Sequence, residues 1–160
     1  MINITLLCVG KLKEAYYAAA ALEYQKRLGA FCRLQTVEVP AARLPKKPSL
    51  AQIEDALVQE GKALLAKIPT GARVYALCIE GKSLTSPELS RELSARAAAG
   101  TGSFVFIIGG SDGLSEGVKA RSDCLLSMSA MTFPHRLARI MLLEQLYRAF
   151  MIESGGKYHK

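Results

Sequence analysis

"SMSAMTFPHRLARIMLLEQLYRAF" runs from Ser127 to Phe150, and its reading decides how the rest of the chain is understood. Small and hydroxylic residues lead into Phe133-Pro134-His135, and a long apolar helix follows. With Leu137 as the origin and about 100° per residue, apolar side chains at 137, 138, 140, 141, 142, 143, 146, 147, 149 and 150 cover almost every direction. A surface helix carries one apolar stripe, whereas this helix needs cover nearly all round. A chain of 160 residues struggles to supply that alone. The expectation is therefore an isologous homodimer, part of the helix packing against a second copy; a central helix of a monomer is the alternative.

Working back from this segment, strands and helices alternate about five times. "INITLLCVG" (Ile2–Gly10) reads as a first strand, followed by a helix from about Glu14 to Leu28 that Gly29 can end. "FCRLQTVEV" (Phe31–Val39) alternates like a strand with one wet face. "PAARLPKKP" (Pro40–Pro48), with three prolines and three cations, reads as a loop and as a candidate RNA-facing segment or a solvated linker. Ser49 with Gln52 is a capping-box pattern, and Leu50, Ile53, Leu57 and Leu64 make the stripe of the helix that follows. "RVYALCIEGK" (Arg73–Lys82) is the next strand and turn. Ser86-Pro87 reads as an N-cap with proline at the first helical position. "SFVFIIGG" (Ser103–Gly110) is a continuous apolar run, as expected of a central parallel strand covered on both faces. A turn and short helix follow, then a last strand "CLLSMS" (Cys124–Ser129). The pattern predicts an α/β protein, residues 1–160 forming one domain, with a mostly parallel sheet in three layers.

Composition narrows the function. There are 21 Lys and Arg against 14 Asp and Glu, a net charge of +7. The excess favours an anionic partner, RNA or DNA first and a membrane surface second. The cations are spread along the chain, 11 in residues 1–80 and 10 in 81–160, with no basic tail. Cys8, Cys32, Cys78 and Cys124 are far apart and each lies in a strand-like run, which reads as reduced thiols in a cytoplasmic protein rather than zinc ligands or disulfides. "MINITLLCVGK" reads as a strand rather than a leader. No apolar run reaches the length of a membrane span.

Three strand ends are rich in small residues: "IEGK" after Ile79, "GGSDG" after Ile108 and "SAMTFPH" after Met128. Ligands of open α/β sheets bind outside the carboxyl ends of strands, and small residues there let backbone groups approach a ligand closely. The familiar nucleotide signatures are missing: there is no G-x-G-x-x-G after the first strand and no P-loop. His135 and His159 lack a metal-ligand cluster, and no G-x-S-x-G marks an esterase.

"FIIGGSDGLS", "LSMSAMTFPHRLARIMLLEQLYRAF" and the terminal "YHK" resemble the RlmH family of large-subunit ribosomal RNA pseudouridine N3-methyltransferases, members of the SPOUT superfamily. The resemblance spans the whole chain, from its "CVGK" start, and preserves the order G-G-x-x-G-[LF], S-x-[ML]-T-[FL]-P-H, E-x-[LV]-Y-R-A. It implies a deep trefoil knot near the C-terminus, the last helix threading through a loop. It also implies an S-adenosylmethionine-dependent enzyme, with no metal and no membrane, acting as a homodimer on the assembled ribosome. By the same resemblance Leu77 and Gly109 hold the methyl donor, and Met128, Ser129, Ala130, Met131, Thr132 and Phe133 complete its pocket.

Methylation at N3 of pseudouridine needs positioning and a route for the N3 proton. His135, Tyr158 and His159 are the candidate groups; Arg139, Arg148 and Lys160 are cations that could lower the N3 pKa instead. Arg148 and Glu144 also have the spacing of a helix ion pair. Two rival functions are a tRNA methyltransferase of the same superfamily and a non-catalytic ribosome-binding factor.

Overall fold

A computed structural model describes all residues from Met1 to Lys160. Five strand–helix units follow one another. These are β1 (Ile2–Val9), α1 (Ala15–Leu28), β2 (Cys32–Val39), α2 (Leu50–Leu65), β3 (Arg73–Ser83), α3 (Ser86–Ala98), β4 (Ser103–Ile108), α4 (Glu116–Arg121), β5 (Cys124–Ser127) and α5 (His135–Glu153). All five strands join one sheet in the order β2-β1-β4-β3-β5, and every strand pairing is parallel.

The apolar runs of β1 and β4 place them at the centre. Alternate side chains of each strand enter separate cores on the two faces of the sheet. Ile4, Leu6, Phe104 and Phe106 join Leu142, Leu143, Leu146 and Ala149 of α5, with residues of α1 and α3. Leu7, Val9, Val105 and Ile107 face the other way, toward Leu64 of α2 and Val118 of α4. The three layers are thus α1, α3 and α5, then the sheet, then α2 and α4. The chain leaves β5 at the sheet edge, and α5 returns to pack against both α1 and α3.

Helix starts follow local chemistry. Ser49 and Gln52 form the expected capping box. The corresponding box on α3 is made by Thr85 and Glu88, so Ser86 and Pro87 lie inside the helix, which starts one residue earlier than the Ser-Pro pair suggests. A cap of this kind contributes about 1 kcal/mol. Of the stripe expected on α2, Leu64 is buried and Ile53 and Leu57 are half-buried, but Leu50 is exposed, and Ala56 and Gly61 are buried beside them. A Cβ on Gly61 would collide with Ser115 of the α4 cap, so the bare backbone there sets how closely α2 and α4 approach.

Along α5 no side chain from His135 to Ile152 is fully exposed. Its one buried charge, Arg139, donates to Glu38 at 2.8 Å and to the Gly10 carbonyl at 3.0 Å. Arg139 thereby ties the last helix to the ends of the first two strands. Arg136 makes a parallel connection to Glu14 at 2.5 Å. All four cysteines lie in strands and are free; Cys8 and Cys32 are buried, Cys78 and Cys124 half-buried. No helix is long and apolar enough to cross a membrane.

Candidate active site

The carboxyl ends of β3, β4 and β5 enclose a cavity of about 850 Å³. That volume suits a ligand the size of a nucleoside derivative. Each strand end contributes one wall.

The first wall is an irregularity in β3. Leu77 pairs with Leu126 of β5, and Lys82 pairs with the same residue, so Cys78–Gly81 arch out of the ladder. Gly81 makes the arch possible. A Cβ there would lie 2.6 Å from the Leu125 carbonyl carbon, far inside contact distance. Glu80 on the arch meets Lys119 of α4 at 2.6 Å. The Lys119 hydrogen bond holds the Glu80 carboxyl below the usual range, and Glu80 raises the Lys119 ammonium in return.

The second wall is the turn after β4. The Gly113 N–H donates to the Gly110 carbonyl at 3.2 Å, folding the chain back on itself. A Cβ on Gly109 would lie 2.6 Å from the Gly113 carbonyl carbon. Only a residue without a side chain lets this turn close, and the same omission leaves backbone facing the cavity.

The third wall is the loop from Met128 to the start of α5. The Ser127 hydroxyl donates to the Ser129 carbonyl at 3.0 Å, and the Met131 N–H donates to the Ser129 hydroxyl at 3.0 Å. These short-range bonds hold the loop while Met131 stays 72% exposed at the rim. Pro134 precedes the helix with extended backbone, and His135 is the first residue of α5.

His135 stands at the cavity, half-buried. Burial lowers its pKa first, the Arg136 and Arg139 guanidinium groups lower it further, and Glu14 opposes them. The imidazole is therefore neutral at pH 7 and able to accept a proton.

Of the residues expected to hold the methyl donor, Leu77, Gly109, Met128, Ser129, Met131, Thr132 and Phe133 surround this one cavity. Ala130 belongs to the same loop but is exposed and does not line it. Tyr158 and His159 lie elsewhere. The Tyr158 hydroxyl donates to Glu144 at 3.1 Å, its ring sits edge-on to Tyr147 at 4.9 Å, and the Arg148 guanidinium covers it at 4.6 Å. Burial and Glu144 raise the Tyr158 pKa, which makes its hydroxyl a poor proton acceptor in this position. Arg148 pairs with Glu144 at 2.6 Å, as the spacing of four suggests, and donates to His159 Nδ1 at 3.3 Å. Arg139 does not share Glu144; its partner Glu38 is 101 residues away in sequence.

A second cavity, of about 500 Å³, lies between α3 and α5 and is bordered by Glu144, Gln145 and Met141. Met128 borders both cavities and divides them. Sequence reasoning missed the Glu80–Lys119 pair and the arch that carries it. The one local signal was a glycine inside a strand pattern, which marks a bulge or close backbone approach.

The donor set suits an adenosyl group. Leu77, Ile79, Ile108, Leu114 and Phe133 offer apolar surface, and Gly109, Gly110 and Gly113 offer backbone. No three His, Cys, Asp or Glu side chains come together as a metal-holding group.

Comparison with known proteins agrees with this architecture. The family model described as "Predicted SPOUT methyltransferase" matches residues 2–159. A solved structure titled "The structure of a probable methylase family protein from Haemophilus influenzae Rd KW20" is similar, with a TM-score of 0.52 and 14% identity. The match covers 96% of this chain and 67% of that one; at such identity the likeness speaks for the fold alone. With its parallel α/β sheet, its strand-end cavity and a family match over nearly its whole length, the chain belongs to the SPOUT methyltransferases, enzymes that in general use S-adenosylmethionine.

Proposed function

We propose that the protein methylates N3 of a pseudouridine in large-subunit ribosomal RNA, on the assembled ribosome and as a homodimer. The observation that carries this reading is the meeting of "IEGK", "GGSDG" and "SAMTFPH" around one cavity, with His135 at its edge. In this reading Gly109 and the loop from Met128 to Phe133 hold S-adenosylmethionine. When bound, the donor supplies an electrophilic methyl carbon.

The chain's own residues supply position and proton transfer. Apolar side chains from Leu77 and Phe133 exclude water from the cavity, which strengthens polar interactions within it. His135, neutral at pH 7, takes the proton from N3 as the new N–C bond forms. The tail acts on the RNA rather than on the donor: Tyr158 leaves Glu144 and stacks on a base.

The dimer reading rests on α5, where Ile140, Met141, Tyr147 and Phe150 remain only half-covered in the single chain. Residues 1–160 act as one domain, and in this reading α5, which returns from the sheet edge to pack on α1 and α3, threads a trefoil knot.

The test is transfer of labelled methyl from S-adenosylmethionine to ribosomes lacking the modification, with free ribosomal RNA and tRNA beside them. Label at a large-subunit pseudouridine, with ribosomes the better substrate, is the expected result. Label on tRNA alone moves the substrate. RNA binding without donor binding or transfer makes the protein a binding factor.

A further inference from the structure

The path of the RNA strand follows from where unpaired cations gather at the cavity's end of the sheet. Arg73, Arg96, Lys119, Arg121, Arg136, Arg139 and Arg148 all pair with carboxylates, as does Arg27. The other thirteen Lys and Arg pair with none and all are exposed; five of them, Lys11, Lys13, Arg43, Lys46 and Lys47, fall in the loops after β1 and β2.

These five occupy two loops that leave the same end of neighbouring strands. Val9 is in register with Val39, and the Gly10 N–H donates to the Val39 carbonyl at 2.8 Å. The loops after β1 and β2 therefore emerge side by side. They emerge on the cavity's side of the sheet, because Cys8 of β1 is in register with Ile108, just before Gly109.

Glu60 links the second loop to the cavity. Its carboxylate accepts the Ala42 N–H at 2.9 Å, and it lies about 4 Å from where a Cβ on Gly110 would be. The acids nearest the two loops are largely occupied. Glu14 and Glu38 are bound by Arg136 and Arg139. Burial raises the Glu60 pKa, with Asp112 adding to the rise; Asp112 and Glu80 are exposed carboxylates of the cavity, and Glu80 is bound by Lys119.

Beside the lysines stands Tyr16, 68% exposed at the start of α1. Tyr17 holds it at 4.6 Å between ring centroids. A solvent-facing aromatic among unpaired cations suits a flexible polyanion with flat bases: phosphates meet the ammonium and guanidinium groups, and a base stacks on the ring. A lipid surface would call for an apolar wedge, and the loop from Pro40 to Pro48 offers one large aliphatic side chain, Leu44, among three prolines.

We infer that Lys11, Lys13, Arg43, Lys46 and Lys47, with Tyr16, form a binding track for single-stranded RNA leading to the cavity. The inference rests on the proposed RNA substrate but assigns residues the catalytic reading does not use.

The experiment compares the wild-type protein with a variant carrying alanine at all five cations, and with Tyr16→Ala and Tyr16→Phe. Binding of a short fluorescent single-stranded RNA is followed across a salt series, S-adenosylmethionine affinity by calorimetry, and methyl transfer to ribosomes as KM and kcat. Each cation on the track should remove about 0.7 from the slope of log affinity against log salt. The fivefold variant should therefore lose a slope of about 3.5 and show a raised KM, with donor affinity and folded spectrum unchanged. Tyr16→Ala should weaken RNA binding roughly tenfold, and Tyr16→Phe should retain it.

An unchanged salt slope in the fivefold variant overturns the track. So does a KM loss on ribosomes with normal RNA binding, which would make these loops a protein contact, or capture by anionic vesicles in preference to RNA. If the wild type binds RNA with this slope but transfers no methyl to any RNA, the track stands and the catalytic reading fails.

Discussion

The cavity beside Gly109 and the tail beside Glu144 are both candidate seats of chemistry, yet they are built from different materials. The cavity is shaped by backbone: an arch that Gly81 permits, a turn that Gly109 permits, and a loop held by serine hydroxyls. The tail is held by half-buried side chains, through Tyr158, Arg148 and Glu144, that keep some access to solvent. Backbone geometry of the first kind cannot change without remaking the turn. Surface ion pairs contribute about 1 kcal/mol or less and exchange readily with water or ligand. A fixed donor site with a releasable tail is what ordered binding to a large substrate needs.

The sharpest way to break this contrast is at Gly109. Gly109→Arg should abolish S-adenosylmethionine binding while leaving the oligomeric state of the wild type, a dimer in the proposed reading, unchanged, as checked by calorimetry and sedimentation. Gly109→Ala, forced against the Gly113 carbonyl, should cost about 1–3 kcal/mol, or roughly ten- to a hundredfold in donor affinity. Normal affinity in either variant would show that the turn tolerates a side chain and that the cavity is not fixed by its glycines.

Next in size is Arg139→Met. Removing one partner of a buried ion pair costs about 3–5 kcal/mol. Glu38 is 32% exposed, which places the expected loss near the lower figure. Denaturant unfolding measures it, and Glu38→Gln in the same background should recover part of the loss. Arg148→Met, in the surface cluster, should cost about 1 kcal/mol or less. Equal costs would erase the distinction between framework and surface.

On the tail side, removing Tyr158–Lys160 should leave donor affinity unchanged and reduce turnover on ribosomes about tenfold, the worth of one stacked base. A fall in donor affinity instead would join the tail to the cavity.

The smallest effect is a pH dependence at His135. Its folded pKa lies below its unfolded value of about 6.5, so at acid pH the unfolded chain binds the extra proton. Stability attributable to this residue is then complete above about pH 6.5, declines as pH falls through that value, and levels off below the folded pKa. The unfolding free energy of the wild type should rise more steeply between about pH 5 and 7 than that of His135→Gln. Parallel profiles would show that the ring is not held neutral. If His135 accepts the N3 proton, kcat should hold as pH falls to about 6.5 and drop only below it, and His135→Gln should lose about a hundredfold.

Much of the fold is legible in the sequence because five βα units write their periodicity locally. The apolar run Phe104–Ile108 belongs to a strand covered on both faces, and Ser49 with Gln52 caps the helix that follows. What escaped depends on distant partners or on missing atoms. Leu50 extends the helical stripe on paper but lies ahead of the sheet and faces solvent. Gly61 adds nothing to hydropathy, yet it decides how α2 meets α4. Thr85 was overlooked because Ser86-Pro87 is the louder start signal, although Thr85 and Glu88 carry the full box. The site divides in the same way. Three strand ends can be singled out by their small residues, while the arch at Cys78–Gly81 exists only through pairing with β5, more than forty residues on. Arg139 looks like a surface cation on any wheel; its partners, Gly10 and Glu38, become visible only once α5 has crossed the sheet.

The ties from α5 to the first two strand ends also bear on how the protein is made. Arg136 meets Glu14 across 122 residues and Arg139 meets Gly10 across 129, so these contacts join α5 to the start of α1 and the end of β1. Contacts of such span form late and slow folding. During translation, β1 to β4 can emerge and pair while Glu14 and Glu38 still lack their cations and the cavity lacks its third wall. A nascent chain arrested before His135 would hold most of the sheet but no competent donor site. A chain cut before α5 would thus lose the cavity's third wall before it lost the sheet.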